Sequence, residues 1–273
     1  MQQKRVDERR QEDEQKPNTE QIRQHTQAVV EGAQQEVAAA HIPWYRTLKR
    51  GQILLVLYAL QVALFAALAW WVHYQPVLPI DIVITREFQE NQSPWLKFTL
   101  IAVSYIGSVL LLSAGLVLLA AAILWLVRLR LEAVMLVATC ATSTLLNGLI
   151  KLIVARPRPN AQLVEVIQAA SGNSFPSGHV MQYVAFWGFL FSLGIILFKG
   201  KHWWRIALLI VSALFIILVG PSRIYLGDHW ASDVLGAYLI GGAWLGITLW
   251  VYLKLKAKGV LAPKTTIVQD KPA

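Results

Sequence analysis

Three separated blocks of the chain carry residues that can do phosphoryl chemistry. Lys151 is followed after six residues by Arg158-Pro159, then comes Pro176-Ser177-Gly178-His179, and Ser222-Arg223 is followed after five residues by His229 with Asp233 four positions later. Lys151, Arg158 and Arg223 are three cations, and no acidic residue lies between positions 133 and 164. Such a set suits a multiply charged anion better than an ion-pair network, and phosphate is the natural candidate. The Arg fork matches two phosphate oxygens, while Lys adds a compact charge. A helix opening at Ser177-Gly178-His179 aims unpaired backbone N–H groups at the same anion, and Gly178 lets it approach the chain.

His229 and Asp233 stand at i and i+4, so on a helix they share a face. The carboxylate then accepts from Nδ1–H and leaves Nε2 free as a nucleophile. His179, at the edge of the phosphate cradle, can protonate the departing oxygen and later help water attack. Each feature also has a plain structural reading when taken singly. Lys151 can snorkel to an interface, Pro-Ser-Gly is a common helix start, and a His with Asp four residues on is often a surface pair. Their arrangement favours chemistry.

These blocks must be held by membrane-spanning helices. The chain is 56% hydrophobic and 15% charged with mean hydropathy +0.48, which excludes a disordered chain or a soluble nucleic-acid binder. Six apolar stretches meet or approach the span length of about 20 residues: 53–72, 103–127, 132–150, 179–198, 206–222 and 234–253. Polar residues in the third (Thr139, Thr142, Ser143, Thr144, Asn147) and Gln182 in the fourth are expected to face other helices rather than lipid. The formal charge of +9 does not come from residues 1–50, where nine basic and eight acidic residues nearly cancel. Basic residues flanking the spans (Arg46, Lys49, Arg50; Arg128, Arg130; Lys199, Lys201, Arg205; Lys254, Lys256, Lys258) fall on one face, which reads as cytoplasmic. All three chemical blocks fall on the other face. The expected architecture is all-α and polytopic: a polar cytoplasmic tail over 1–48, a six-helix membrane domain over 49–258 and a short cytoplasmic tail over 259–273. The start is not a cleaved secretory signal, because the first apolar run lies too far in and is too long. Cys140 is the single cysteine, so no intramolecular disulfide and no cysteine-based zinc cluster is available.

The three blocks resemble, in residue type, spacing and order, the signature of the type 2 phosphatidic acid phosphatase superfamily of lipid phosphatases. The motifs cover 151–233, and the six-span pattern extends the likeness over about 50–256. The resemblance implies a phosphohistidine formed on His229 and oriented by Asp233, with His179 as general acid. It places the phosphoryl group on Lys151, Arg158, Ser177, Gly178 and Arg223, and it implies no metal and no cofactor. The implied activity is removal of phosphate from a lipid headgroup at the outer face of the cell membrane. Phosphatidic acid, phosphatidylglycerol phosphate and undecaprenyl pyrophosphate are the implied substrate types, with a lipid-linked phosphotransferase as the enzymatic alternative. An anion or lipid transporter is the alternative from another class, in which the cations would line a pathway; it needs no His–Asp pair beside a second His. The expected partners are a lipid phosphate and the bilayer, with no nucleic acid.

Among the neighbours, Arg156 reads as a solvated loop charge, with a headgroup contact as the alternative. Asp228 reads as a loop cap that can otherwise tune His229. Tyr225 and Asn173 stay open, Asn147 reads as interhelical glue, and Gly242 with Gly246 reads as tight packing within the bundle.

Overall fold

The structure is a computed structural model that describes residues 44–198 and 200–261. The proposed N-terminal tail lies outside the described residues up to position 43, as does most of the C-terminal one. The described residues form eight helices and no strand. They are α1 (Trp44–Tyr74), α2 (Pro79–Glu90), α3 (Pro94–Ser108), α4 (Leu110–Leu126), α5 (Arg130–Val154), α6 (Gly178–Ile196), α7 (Trp203–Tyr225) and α8 (Ala231–Ala257). The bundle described below is the unit beginning at Leu57.

Five helices are long and apolar enough to cross a membrane, and α3 with α4 make a sixth if their bent pair counts as one span. The continuous span expected over 103–127 is instead broken at Val109, with the two halves inclined by 74°. The helix that carries Pro94 at its first turn also starts well before position 103. The amphipathic α2 was not expected at all. It opens with Pro79, whose missing N–H is no loss in a first turn.

α6 is the central helix. Val180, Val184, Phe186, Phe189 and Leu193 are buried on it, facing α3 and α7 on one side and α4, α5 and α8 on the other. The polar residues of α5 do meet partners outside their own helix: Thr144, though exposed, donates to Gln182 Oε1 at 3.1 Å, and the buried Asn147 Nδ2 donates to the Pro176 carbonyl at 3.0 Å. Thr142 accepts from Trp244 Nε1 of α8 at 3.1 Å. Gly242 and Gly246 face Gln61 and Tyr58 of α1; a Cβ at Gly246 would overlap the Tyr58 ring, so its small size serves packing within the bundle, whereas one at Gly242 would meet Gln61 at ordinary contact distance. Isoleucines, leucines and valines along the outward faces remain exposed, as contact with hydrocarbon tails requires.

Two loops meet at one end of the bundle, 155–177 and 226–230. α5 stops because Ala155 adopts the left-handed conformation (φ 51°) with its N–H bonded to the Lys151 carbonyl, and Pro157 follows. The loops are joined by Ile167 and Gln168 N–H groups donating to the Leu226 carbonyl at 3.0 and 3.2 Å. α2 clamps both, since Gln89 Nε2 donates to the Glu165 and Tyr225 carbonyls at 2.7 and 3.0 Å, and Arg86 Nε to the Leu163 carbonyl at 2.9 Å.

Gly227 sits in this junction with φ +67°, and a Cβ there would overlap the Glu165 carbonyl, a backbone group that cannot swing aside. Gly227→Ala therefore combines a left-handed cost of about 1–2 kcal/mol with a clash between the loops. It is expected to lower the melting temperature of the detergent-solubilised protein and to impair any activity of the adjoining site. A variant as stable as the parent would contradict the close docking of the two loops.

Candidate active site

The residues picked out by the sequence converge at this end of the bundle, around a cavity of about 740 Å³ whose wall includes Lys151, Arg158, Gly178, His179, Arg223 and His229. Each arrives from a different piece of the fold. Lys151 is in the last turn of α5, Arg158 on the loop beyond it, Gly178 and His179 in the first turn of α6, Arg223 in the last turn of α7, and His229 just before α8. Ser177 is the N-cap residue of α6 but makes no side-chain cap bond, and its buried Oγ has no hydrogen-bond partner. Asp233 lies in the first turn of α8, behind His229 rather than in the cavity wall.

The tautomer of His229 follows from its partners. Nδ1 stands 3.3 Å from Asp233 Oδ2, an acceptor, and Nε2 stands 3.3 Å from Arg158 Nη1, which can only donate. The proton is therefore on Nδ1 and the lone pair on Nε2. Burial pulls the imidazole pKa down to about 3; the Asp233 bond and charge oppose this, and the Arg158 and Arg223 charges add to it. The ring is consequently neutral at pH 7.

Lys151 Nζ donates to the Asn173 carbonyl at 2.5 Å, and Asn173 Nδ2 donates back to the Lys151 carbonyl at 2.7 Å, which fixes the loop against the end of α5. Arg158 Nε is held by the Ser171 and Gly172 carbonyls at 3.2 and 3.1 Å. Burial lowers the Arg158 pKa, and Asp233 pushes it back. His179 Nε2 pairs with Ser108 Oγ at 3.0 Å, at the break between α3 and α4. Ser108 also accepts from Gln168 Nε2 at 3.1 Å.

Three expectations need correction. The cation set is not free of acids: Asp228 Oδ1 accepts from Arg158 Nη1 at 2.8 Å, and its other oxygen pairs with Arg223. The gap in acidic residues before position 165 missed it because the counter-charge comes from the third block. Asp228 is thus more than a loop cap, lying 3.9 Å from His229 Nε2 as well. Arg156 is neither a solvated charge nor a headgroup contact, because it is 1% exposed and ion-paired with Asp81 and Asp233. Asp81, Ser104, Ser108, Gln168, Ser174 and Ser232 were not anticipated. Each acts through a partner remote in sequence, and a single polar residue, in a helix or in a loop, carries no local signal of such a partner. The Arg-Pro-Arg-Pro run was the one visible hint.

The chain is similar to known proteins. Residues 132–257 match the PAP2 superfamily, a segment that contains all three blocks and the last four helices. A phosphatidylglycerophosphatase B of Bacillus subtilis is 29% identical over 180 residues, covering 65% of this chain and 85% of that protein. The crystal structure of a transmembrane PAP2-type phosphatidylglycerolphosphate phosphatase from Bacillus subtilis superposes with a TM-score of 0.63 at 26% identity. That superposition covers 72% of this chain and 96% of the solved one. With its helical bundle and its ordered blocks, the chain is similar to the PAP2 superfamily over residues 132–257 and to a solved transmembrane PAP2-type phosphatase in its fold.

Proposed function

We propose that the protein removes the terminal phosphate of a lipid phosphomonoester, of the phosphatidylglycerophosphate or phosphatidic acid type, at the outer face of the cell membrane. The observation that carries this reading is a neutral His229 whose Nε2 lone pair faces a cation-lined cavity that a second histidine also lines. The Bacillus subtilis relatives act on phosphatidylglycerophosphate by name, which favours that substrate type.

In the first step Nε2 of His229 attacks phosphorus, the phosphorus–oxygen bond to the lipid breaks, and His179 gives its proton to the departing oxygen. In the second, water attacks the phosphohistidine and loses a proton to His179, and the phosphorus–nitrogen bond breaks to release phosphate. Asp233 stabilises the positive charge on the ring. Lys151, Arg158, Arg223, Ser177 Oγ and the Gly178 backbone hold the phosphoryl oxygens, whose charge peaks as the group is transferred. Charge supplied by these side chains removes the need for a metal. Asp228 competes with the phosphate for the two guanidinium groups, so substrate binding has to displace its carboxylate.

A lipid fits the remainder of the cavity. Away from the polar end its wall passes to Val117, Leu118, Val137 and Cys140, and a second apolar hollow of about 530 Å³ shares Leu118 and Val137 with it. The basic residues at the opposite ends of the spans favour placing that opposite end, with both termini, in the cytoplasm. The domain plan proposed from the sequence, 1–48, 49–258 and 259–273, goes with this orientation.

His229→Ala is expected to abolish phosphate release while the protein still folds, as measured with a panel of lipid phosphates in detergent. Vanadate should inhibit the parent protein and chelators should not. Full turnover in the variant, strict magnesium dependence, or transfer of the phosphate to another acceptor would each redirect the mechanism. Asp228→Asn, which removes the competing charge, should tighten vanadate inhibition several-fold; unchanged or weaker inhibition would show that Asp228 does not compete with the anion. Ala170→Cys in a Cys140→Ser background places a thiol at an exposed loop position. It should react with an impermeant maleimide on intact cells, and labelling only after permeabilisation would invert the topology.

A further inference from the structure

Arg156 and Arg158 are separated by one proline, yet their side chains go to opposite sides of the same catalytic pair. Arg158 Nη1 meets His229 Nε2 at 3.3 Å on the cavity side. Arg156 Nη1 meets Asp233 Oδ1 at 2.6 Å on the far side, with no surface exposed to speak of. Four of the five Arg156 N–H groups are placed in this way, the other three bonds being Nε to the Pro76 carbonyl at 2.8 Å, Nη1 also to Ser232 Oγ at 2.7 Å, and Nη2 to Asp81 Oδ2 at 2.8 Å. The guanidinium also lies 5.9 Å from the centre of the Trp230 ring, beside the nucleophile in sequence.

Asp81 completes the arrangement from α2. Its Oδ1 accepts the Ser232 N–H at 2.9 Å and its Oδ2 the Ser232 hydroxyl at 2.6 Å, so it grips the first turn of α8 directly as well as through Arg156. Asp233 is thereby fixed through one oxygen by Arg156. The other oxygen is left for His229 Nδ1, the Trp230 N–H at 2.9 Å and the Ser174 hydroxyl.

We propose that Arg156 and Asp81 are positioning residues for the nucleophile: Arg156 locks the Asp233 carboxylate in the rotamer that orients His229, and Asp81 in the first turn of α2 is its counter-ion. Arg156 does not bind the phosphoryl group, because all three of its nitrogens are engaged on the far side of Asp233 and it is absent from the cavity wall. Asp81 keeps the buried guanidinium from drawing Asp233 away from the imidazole. The helix α2, which spans nothing, thus becomes part of the catalytic apparatus. This inference rests on the reading of His229 as the nucleophile.

The test is steady-state kinetics on the full-length protein in detergent with dioctanoyl phosphatidic acid, comparing the parent with His229→Ala, Arg156→Gln and Asp81→Asn. A positioning role predicts that both new variants lose kcat by roughly tenfold to a hundredfold with KM within about twofold, as for residues that orient another group. The pH profile of kcat/KM separates this from simple damage. The charged and titratable groups around His229 are Asp233 on α8, Asp228 beside it, Arg158, Arg223, His179 and Lys151, all unchanged in these variants. Loss of the Arg156 charge leaves the Asp233 carboxylate freer to stabilise the imidazolium, so the acid limb moves to higher pH in Arg156→Gln. Loss of the Asp81 charge acts the other way, so the limb does not rise in Asp81→Asn.

Parent-like kcat in both variants, a rise in KM with kcat kept, or the same upward shift in both would overturn the proposal while His229→Ala stays inactive. An active His229→Ala variant would instead overturn the nucleophile assignment and this inference with it. Should Arg156→Gln fail to fold, Asp81→Asn carries the kcat and KM test, since Asn conserves shape and its amide oxygen still accepts from Ser232.

Discussion

The Asp233 carboxylate is the point from which the polar end of this bundle is built. It accepts from Arg156 on one oxygen and from His229, Ser174 and the Trp230 backbone on the other, drawing together two loops and the start of α8. A buried carboxylate is costly unless every lone pair is used, and a single missing donor leaves a penalty of several kcal/mol. Here the same bonds that satisfy the charge also set the direction of the imidazole. The Asp233 bond to Trp230 N–H caps α8, so the helix start and the site share one hydrogen bond.

Charge is paired but not cancelled on either side of the histidine, with one guanidinium against two carboxylates behind it and two guanidiniums against one carboxylate in front. Arg156 faces Asp81 and Asp233, while Arg158 and Arg223 share Asp228. Lys151 is held only by carbonyl groups among the polar partners found for it. On the proposed function, a doubly charged phosphate would meet one cation with carbonyl partners and two that must change partner. Binding of this kind exchanges one set of charge-assisted hydrogen bonds for another, so its net strength depends on geometry more than on the number of cations.

Much of the site was legible because its members fall in three short blocks. Lys151, Arg158, Gly178, His179, Arg223 and His229 do line one cavity, and a shared membrane face for them followed from counting spans. The helical character and the partnering of Asn147 and Thr144 beyond their own helix were also readable, since polar side chains in an apolar run need partners. What escaped has a common cause. Asp81 and Arg156 meet across 75 residues of chain, Asp228 and Arg158 across 70, and no local pattern encodes such a pairing. The break at Val109 escaped too, because no proline marks it and both flanks are strongly apolar.

That break has a bearing on how a membrane-bound molecule could reach the histidines. A helix interrupted within hydrocarbon exposes backbone groups that lipid cannot satisfy, and such interruptions persist where they border a polar hollow. Gly107, Ser108 and Ser113 around the bend all line the cavity, and the α4 that follows forms its apolar flank. The wall on this side is accordingly two short rods meeting at an elbow rather than one stiff post. On the proposed function, this elbow is where a lipid headgroup would border the cavity, so the bend would be part of the binding surface and not only of the scaffold.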